Sequence, residues 1–578
     1  MQSGLWCIAF ALALVVGRLV QLQGLDQAKY QTLSENQRLH TASIPAVRGA
    51  ITTADGTILA MTVPIDTVTA DPPQITGKTP QATTAKRQQT AELLAGLLHM
   101  APATIVHLLD HPTSHDYVVL AKGVPDATGS RITALTATRK LTGIYLTPGY
   151  ARTYPNGDLA SNLVGFTTTN SAGDMAGQAG IERSYNSRMA GRDGRQEVET
   201  GTHGQPIPVA TDRVRPVVPG STVRLTILSS LQWKAQQACA DQVHRSHADS
   251  CTVVVMEPST GQILALAQYP TYQPANVTSL AATADLPVSG IFPPGSTAKV
   301  ITAAAALERG GQARMTPYTV PPQITVDGFT VHDAEPHPTE RLTLAGIVAH
   351  SSNVGMTQVA EHITKQVQYQ YLRAFGIGEP TGLPLPGASN GILHPPSTWW
   401  GNERYTLAYG QGLSATAVQM ASVYATIANG GVKVQPTIVA GTRAPNGRFA
   451  PAPPPRRQRV IKAVTAQELV AILQQVPMLD ASVGEPWGEI PGYSIAAKTG
   501  TAQEDPCQCH YGSSYIGMAP ATLPRVVVAV NVQHPRVGGY YGNMVAGPVF
   551  NQVMKFALQT LKIPPDGGKR PNVRLTAP

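Results

Sequence analysis

The sequence predicts an α/β (α+β) fold in which a sheet is closed by strands from both ends of one large domain, with a helical insertion between them. Three observations predict it. Cys251-Thr-Val-Val-Val-Met256 and Arg525-Val-Val-Val-Ala-Val-Asn-Val532 read as buried strands, short and nearly continuous in apolar residues. They stand far apart in the chain, and several Ala-rich helical stretches lie between them. Thr222-Val-Arg-Leu-Thr-Ile227 alternates with the period of a strand and runs into the helix-like segment 229–243, which marks where this domain begins.

The remaining elements fall on either side. Residues 1–24 form an apolar anchor segment, with an unbroken run from Leu5 to Val16 and Arg18 before Leu19 and Val20. This run is short beside the ~20 apolar residues of a full span. Cleavage after Ala11-Leu12-Ala13 would leave too little apolar length for a signal peptide, which favours a retained anchor over a removed one. Only Met1 to Gly4 precede the run and none is basic, unlike the cytoplasmic flank of an anchor whose C-terminal side is translocated; the expectation is that the start lies upstream or was trimmed. Residues 25–215 mix short strand-like and helical pieces rich in Thr, Pro and Gly. The segment 214–220 reads as a linker, residues 216–562 as the second domain, and the Pro- and Gly-rich residues 563–578 as a flexible tail.

Composition excludes several classes. With 42% hydrophobic and 13% charged residues, the chain is globular. A net charge of +8 without any block of five or six like charges speaks against a nucleic-acid arm. Of the five cysteines, Cys7 lies in the anchor. Cys507 and Cys509 can pair with each other, remain free, or link to Cys251; Cys239 and Cys251 are not expected to pair, because the helix carries the chain away before the strand returns. Cys507-Gln-Cys509 with His510 has no second pair at ligand spacing, so no metal is expected. No phosphate-binding glycine loop is present, and no cofactor is expected.

Three short motifs carry the chemistry. Pro293-Pro-Gly-Ser296-Thr-Ala-Lys299 opens a helix and places Ser296 and Lys299 on one face. A serine at a helix start lies in a field that favours a developing alkoxide, and a lysine acts as a base once burial or a neighbouring cation lowers its pKa. Ser351-Ser-Asn353 follows a helix-like segment, and Lys498-Thr499-Gly500-Thr501 ends an apolar strand. Each alone is weak: a capped helix, a helix-terminal hydrogen-bonding cluster, a strand edge with a turn glycine. The order Ser-x-x-Lys, Ser-x-Asn, Lys-Thr-Gly is the trio of penicillin-binding proteins and class A β-lactamases. His332-Asp333 and Glu335-Pro-His337 raise a metal site or a second acid–base pair, but Pro336 and Pro338 favour an exposed loop near the cleft.

With these motifs the chain resembles class B penicillin-binding proteins, most closely the septal transpeptidases of actinobacteria. Outside the trio the resemblance rests on Arg48-Gly-Ala-Ile51 through Asp55-Gly-Thr-Ile-Leu-Ala60, and on Arg152-Thr-Tyr-Pro155 with Leu163-Val-Gly-Phe166. It continues in Gly180-Ile-Glu182-Arg-Ser-Tyr185, Glu257-Pro-Ser-Thr-Gly261 and Tyr409-Gly-Gln-Gly-Leu-Ser414. The chain departs from the family pattern at Thr52-Thr-Ala54, in lacking a basic cytoplasmic tail, and in its Cys507/Cys509 pair.

The resemblance implies a serine-acyltransferase fold of the penicillin-binding/β-lactamase type on an elongated mixed α/β pedestal, anchored in the membrane with the catalytic domain outside. It implies a peptidoglycan D,D-transpeptidase that acts on stem peptides ending in D-Ala-D-Ala and is acylated by penicillin and other β-lactams. Ser296 is then the nucleophile and Lys299 its base. Ser351 relays a proton to the leaving amine, Asn353 orients Lys299 and the donor, and Lys498, Thr499 and Thr501 hold the terminal carboxylate. Gly500 admits the substrate backbone, and the backbone N–H groups of Ser296 and Thr501 form the oxyanion hole. A multi-spanning glycan polymerase and other division proteins are the implied partners. A D-Ala-D-Ala carboxypeptidase and a catalytically silent divisome scaffold are the alternatives. A β-lactamase needs a water-activating residue that the sequence does not identify.

Overall fold

Five strands, β1 (Ser250–Met256), β2 (Ile263–Tyr269), β3 (Ala496–Gln503), β4 (Tyr511–Ala519) and β5 (Val526–Gln533), form an antiparallel sheet in the order β2-β1-β5-β4-β3. The two valine-rich runs are direct neighbours, with Val253 opposite Val530. β2 and β4, for which no strand was predicted, complete the sheet on either side of this pair. The computed structural model describes residues 2–26, 39–112, 114–138, 140–170, 174–199, 213–504 and 510–578.

Helices enclose the sheet from both ends of the domain. Helix α1 (Ser229–Ser246) precedes it. Helices α2 (Lys299–Arg309), α3 (Leu344–Ala349), α4 (Asn353–Glu361) and α5 (Ala417–Ala428) belong to the insertion between β2 and β3. Helix α6 (Gly547–Thr560) follows β5. Leu231, Ala235 and Cys239 of α1 and Phe550, Val553 and Met554 of α6 share one core with Val253, Val255, Val528 and Val530. Side chains of the opposite parity, such as Val254 and Ala529, are buried as well, and α5 packs against β1, β4 and β5. A sheet covered on both faces explains why β1 and β5 read as continuous apolar runs without alternation.

The chain divides into two interleaved compact units. One comprises Met1–Gly49, Pro64–Tyr150 and Ser187–Ser221; the other, which holds the sheet, comprises Ala50–Val63, Ala151–Asn186 and Thr222–Pro578. The single boundary expected at 215/216 lies near one of these crossings, but two segments expected in the first domain belong to the sheet-bearing unit. Their contacts show why. Ile51–Thr52 pairs in parallel with Thr222–Leu225. The carboxylate of Asp55 accepts hydrogen bonds from the Ser229 hydroxyl (2.6 Å) and N–H (3.2 Å), which ties the turn to the start of α1. Arg152 and Glu182, from two motifs 30 residues apart, form a fully buried ion pair at 2.6 Å. Gly165 and Gly180 press together: a Cβ on Gly180 would lie 2.3 Å from the Leu163 carbonyl oxygen and one on Gly165 1.9 Å from that of Ala179.

In the first unit, the strand Ile58–Ala70 pairs from Ile65 onward with Val118–Pro125. Helices Pro80–Leu98, Pro102–Asp110 and Asp126–Ala137 close over Val68, Leu94, Ile105, Val118 and Ile132. The first of these helices starts where Thr79 accepts a hydrogen bond from Ala82 N–H and a proline follows at the first helical position. The segment expected to be a linker is paired: Arg213–Arg215 lies beside Gly194–Glu199, and Val218 bridges Arg192. The helix Gln2–Val20, continued by Gln21–Leu25, contains the 21-residue stretch Gly4–Gly24, which is long and apolar enough to cross a membrane and is exposed along its length.

Two expectations are corrected. Cys239 and Cys251 form a disulfide, with Cα atoms 5.3 Å apart. A helix rises about 1.5 Å per residue and a strand about 3.3 Å. The few extended residues after His247 therefore recover the length that the longer helical stretch after Cys239 had covered, and the chain returns beside it. The Cys507/Cys509 pair lies outside the described residues. The tail, expected to be loose, is docked along the strand Glu340–Thr343. Leu575 O accepts from Thr343 N–H (2.9 Å), Arg574 O accepts from the Thr343 hydroxyl (2.8 Å), and Ala577 N–H donates to Arg341 O (2.8 Å). Gly346 is what allows this approach, since a Cβ there would lie 2.0 Å from Leu575 O.

Non-reducing peptide mapping should recover Cys239 crosslinked to Cys251. The bridge spans a sequence separation of 12 residues, so replacing both cysteines by alanine should lower unfolding stability by about 3 kcal/mol in denaturant titrations. Equal midpoints would show that the bridge contributes nothing.

Candidate active site

The three motifs converge on a cleft of about 1090 Å³ lined by Ser296, Ser351, Asn353, Thr499 and Thr501 among others. Each arrives on a different kind of support. Ser296 lies in the 3₁₀ turn Gly295–Ala298, and Lys299 is the first residue of α2. In a 3₁₀ turn residues three apart eclipse each other, so the expected shared face survives although the turn is tighter than an α-helix. Gly295 has φ +53°, its N–H donates to Gly410 O (3.0 Å), and the buried Tyr424 hydroxyl on α5 donates to Thr297 O (2.9 Å). The turn that carries Ser296 is thus fixed by the Tyr409–Ser414 motif on one side and by α5 on the other.

Ser351 occupies the joint between α3 and α4 with φ +66°, a sparsely populated region for a residue with a side chain. The strained joint brings its hydroxyl between two lysines. Lys299 Nζ lies 3.3 Å from Ser351 Oγ, donates to Asn353 Oδ1 (2.8 Å), and also donates to the Ser351 carbonyl. Lys498 Nζ donates to Ser351 Oγ at 2.9 Å and to Thr499 O at 3.1 Å. Both lysines are completely buried. Burial together with the Lys498 cation pulls Lys299 well below the ordinary lysine range, against the opposing pull of Asp333. Burial lowers Lys498 to about 8, with Asp480 opposing.

β3 is the outer strand of the sheet. Thr499 and Thr501 face the cleft, while Lys498 and Gly500 point the other way. Gly500 has a structural cause besides substrate approach: a Cβ there would lie 2.9 Å from both Pro294 O and Thr297 Cγ2, so only glycine lets β3 touch the nucleophile turn. At the end of β3 the Gln411 amide, oriented as its surroundings require, donates to Gln503 O (3.3 Å) and accepts from Gln503 N–H (3.2 Å). Backbone groups two residues apart in a strand point the same way, so the N–H and C=O of Thr501 are directed to the same outer edge.

Asp333 stands in the loop near the cleft that the sequence predicts, and most of that loop is exposed, but its own side chain is turned inward. Its carboxylate accepts from the Ser352 hydroxyl (2.6 Å), from Val354 N–H (3.0 Å) and from Asn353 N–H, all in the first turn of α4. A carboxylate on the N–H groups of a helix start satisfies donors that have no partner within the helix. Asp333 thereby fixes the turn that carries Ser351 and Asn353. The signal available in the sequence was an Asp followed four residues later by His337, whose Nε2 lies 3.0 Å from Asp333 Oδ2. Asp480, buried behind Lys498, and Gln411 also left no mark of their role.

Fold and site together define a serine-type acyltransferase with two buried lysines meeting at one serine hydroxyl. The comparisons agree. Residues 251–555 match the penicillin binding protein transpeptidase domain, and residues 43–225 the penicillin-binding protein dimerisation domain. Penicillin-binding protein PbpB of Mycolicibacterium smegmatis is 32% identical over 98% of this chain and 91% of that protein. The peptidoglycan D,D-transpeptidase FtsI of Escherichia coli is 29% identical over 97% and 91%. A crystal structure of a peptidoglycan synthetase from Bifidobacterium adolescentis superposes with a TM-score of 0.74 at 31% identity, covering 93% of this chain and 100% of that one. Penicillin binding protein 3 of Mycobacterium tuberculosis in complex with aztreonam gives 0.70 at 28% identity, with the same coverage. The chain belongs to the penicillin-binding protein family.

Two variants probe the geometry. Lys299→Arg should lower acylation by penicillin by about 10²- to 10⁴-fold, because a guanidinium does not deprotonate. Stopped-flow labelling at near-normal rates would remove Lys299 from the base role. Gly500→Ala should lower acylation by roughly 10²-fold through displacement of β3 from the nucleophile turn. A wild-type rate in that variant would show that the contact is not needed.

Proposed function

We propose that the chain is a membrane-anchored peptidoglycan D,D-transpeptidase with its catalytic unit outside the cytoplasm, and that Ser296 is acylated both by stem peptides ending in D-Ala-D-Ala and by β-lactams. The observation that carries this reading is the Ser351 hydroxyl held between two buried lysines, one of them three residues from Ser296.

In the first half-reaction, neutral Lys299 accepts the proton of Ser296 Oγ as that oxygen bonds to the penultimate carbonyl carbon. The resulting oxyanion is met by the N–H groups of Ser296 and Thr501. The C–N bond breaks, and the terminal D-Ala leaves as an amine that receives a proton through the Ser351 hydroxyl from the lysine pair. Thr499 and Thr501 offer hydroxyls to the terminal carboxylate. Lys498 lies beneath the strand, so its charge reaches the cleft through Ser351 and the local field. In the second half-reaction a stem-peptide amine attacks the ester, a new peptide bond forms, and Ser296 regains its proton. A chain with one transpeptidase unit crosslinks strands made by another enzyme, so a multi-spanning glycan polymerase is the proposed partner.

The pH dependence follows from the two lysines. Lys299 must be neutral and Lys498 charged. Acylation rises with pH as Lys299 loses its proton and falls as Lys498 discharges near about 8. The deciding experiment uses the full chain with fluorescent penicillin and with a D-Ala-D-Ala donor peptide, with and without an acceptor amine. Wild type should be labelled, folded Ser296→Ala should not, and crosslinked product should need the acceptor. Labelling of Ser296→Ala would displace the nucleophile. Hydrolysis of the donor at the same rate whether or not acceptor is added would make the protein a carboxypeptidase.

A further inference from the structure

The loop Asp333–Pro338 lines the cleft, yet the proposed reaction gives no part to its histidine. His337 is mostly buried, with 17% of its side chain exposed. Its two ring nitrogens both face groups that only accept. Nδ1 lies 2.7 Å from Pro338 O, and Nε2 lies 3.0 Å from Asp333 Oδ2. A neutral imidazole has one N–H and one lone pair, so whichever tautomer it adopts, a lone pair would oppose an oxygen. Only the doubly protonated ring satisfies both contacts. The charged groups around it favour that state: Asp333 on one side and Glu340, with Oε2 4.0 Å from Nδ1, on the other. Glu335 of the same loop is engaged by the Tyr541 hydroxyl at 2.6 Å. Asp333 also acts on the Lys299 cation.

The same carboxylate oxygen that meets His337 also accepts the Ser352 hydroxyl, while the other oxygen takes the N–H groups of Asn353 and Val354. Whatever fixes Asp333 therefore fixes the turn on which Ser351 and Asn353 meet Lys299.

We propose that His337 is a positioning residue for acyl transfer: as an imidazolium clamped between the Pro338 carbonyl and the Asp333 carboxylate, it locks Asp333 onto the first turn of α4 and so holds Ser351 and Asn353 in register with Lys299. Two consequences follow. Burial alone would lower the ring's pKa, but its contacts with the Pro338 carbonyl and with Asp333 raise it above the ordinary 6.5. The clamp is complete below that raised pKa and loses one hydrogen bond as pH rises through it. The cleft thus has a titrating element separate from its two lysines.

This inference rests on the acyltransferase reading, and its test is arranged so that the two fail separately. Acylation rates of the full chain with fluorescent penicillin are measured across pH for wild type and His337→Gln, and the ratio of the two rates is taken at each pH, which cancels the titration of Lys299 and Lys498. Glutamine donates one hydrogen bond at every pH, as neutral histidine does. The ratio of wild type to variant should be about tenfold at low pH and fall toward one as the ring titrates. Side-chain ¹⁵N spectra of histidine-labelled wild type should show both His337 nitrogens protonated at pH 6, the signal being assigned by its loss in the variant, or by its shift in Asp333→Asn if His337→Gln does not fold. A ratio independent of pH, or a ring with a single N–H at pH 6, overturns the proposal while leaving Ser296 labelling intact. Absence of labelling in wild type overturns the acyltransferase reading instead.

Discussion

The geometry of the cleft follows from one constraint: two lysine ammonium groups are buried and meet at one serine hydroxyl. Ser351 Oγ is 3.3 Å from Lys299 and 2.9 Å from Lys498. Two charges so close and both buried repel each other strongly, and each alone already bears the cost of burial. The arrangement is tenable when one of them is neutral. Burial and the Lys498 cation lower Lys299 against the pull of Asp333, and burial lowers Lys498 against the pull of Asp480. In the proposed reaction the lysine next to Ser296 gives up its proton and the lysine on the strand keeps its charge, so base and cation differ by environment and not by residue type.

Holding two such groups together requires backbones to approach more closely than side chains permit. Gly410 lies against Gly295, where a Cβ would lie 2.1 Å from the Gly295 oxygen. Gly500 lies against Pro294 and Thr297, and a Cβ on Gly542 would lie 2.4 Å from the carbonyl oxygens of Gly500 and Ser514. These glycines form a connected set running from the Tyr409–Ser414 motif through the nucleophile turn and β3 to the segment before α6. The interior is close-packed, so displacement at any one of them is passed to Ser296.

The convergence of the three motifs and the neighbouring β1 and β5 were legible because their signals are local: a spacing of three, a helix-to-turn transition, a run of valines. What escaped had causes distant in the chain or hidden in alternation. β4, Tyr511–Ala519, contains three serine and glycine residues in its first four positions and so resembles a loop, yet it is buried almost throughout because strands cover both its edges and helices its faces. Asp333 was obscured by the prolines around it, which correctly indicate irregular backbone but say nothing of burial. The Cys239–Cys251 bridge escapes a reading that follows the helix away, because the extended residues after His247 cover more distance per residue than the helix before them. The arginine and glutamate of two separate motifs become intelligible only as Arg152 and Glu182 meet in one buried pair.

The outer edge of β3 shows how much of the site is left for a substrate. An exposed strand edge is a row of unpaired donors and acceptors and usually a liability. Here Gln411 pairs with the backbone of Gln503 much as a further strand would, and closes the edge at that end. Thr501 and Thr499 precede it with the same orientation. In the proposed reaction a donor peptide laid along β3 is therefore limited to the stretch before Gln503, which places its reactive carbonyl beside the nucleophile turn that Gly500 admits. The side chain that blocks the ladder belongs to the same motif as Gly410, the residue that bonds Gly295. One short segment thus fixes the nucleophile turn and ends the strand edge, so the position of Ser296 and the register of the peptide are set by a common support.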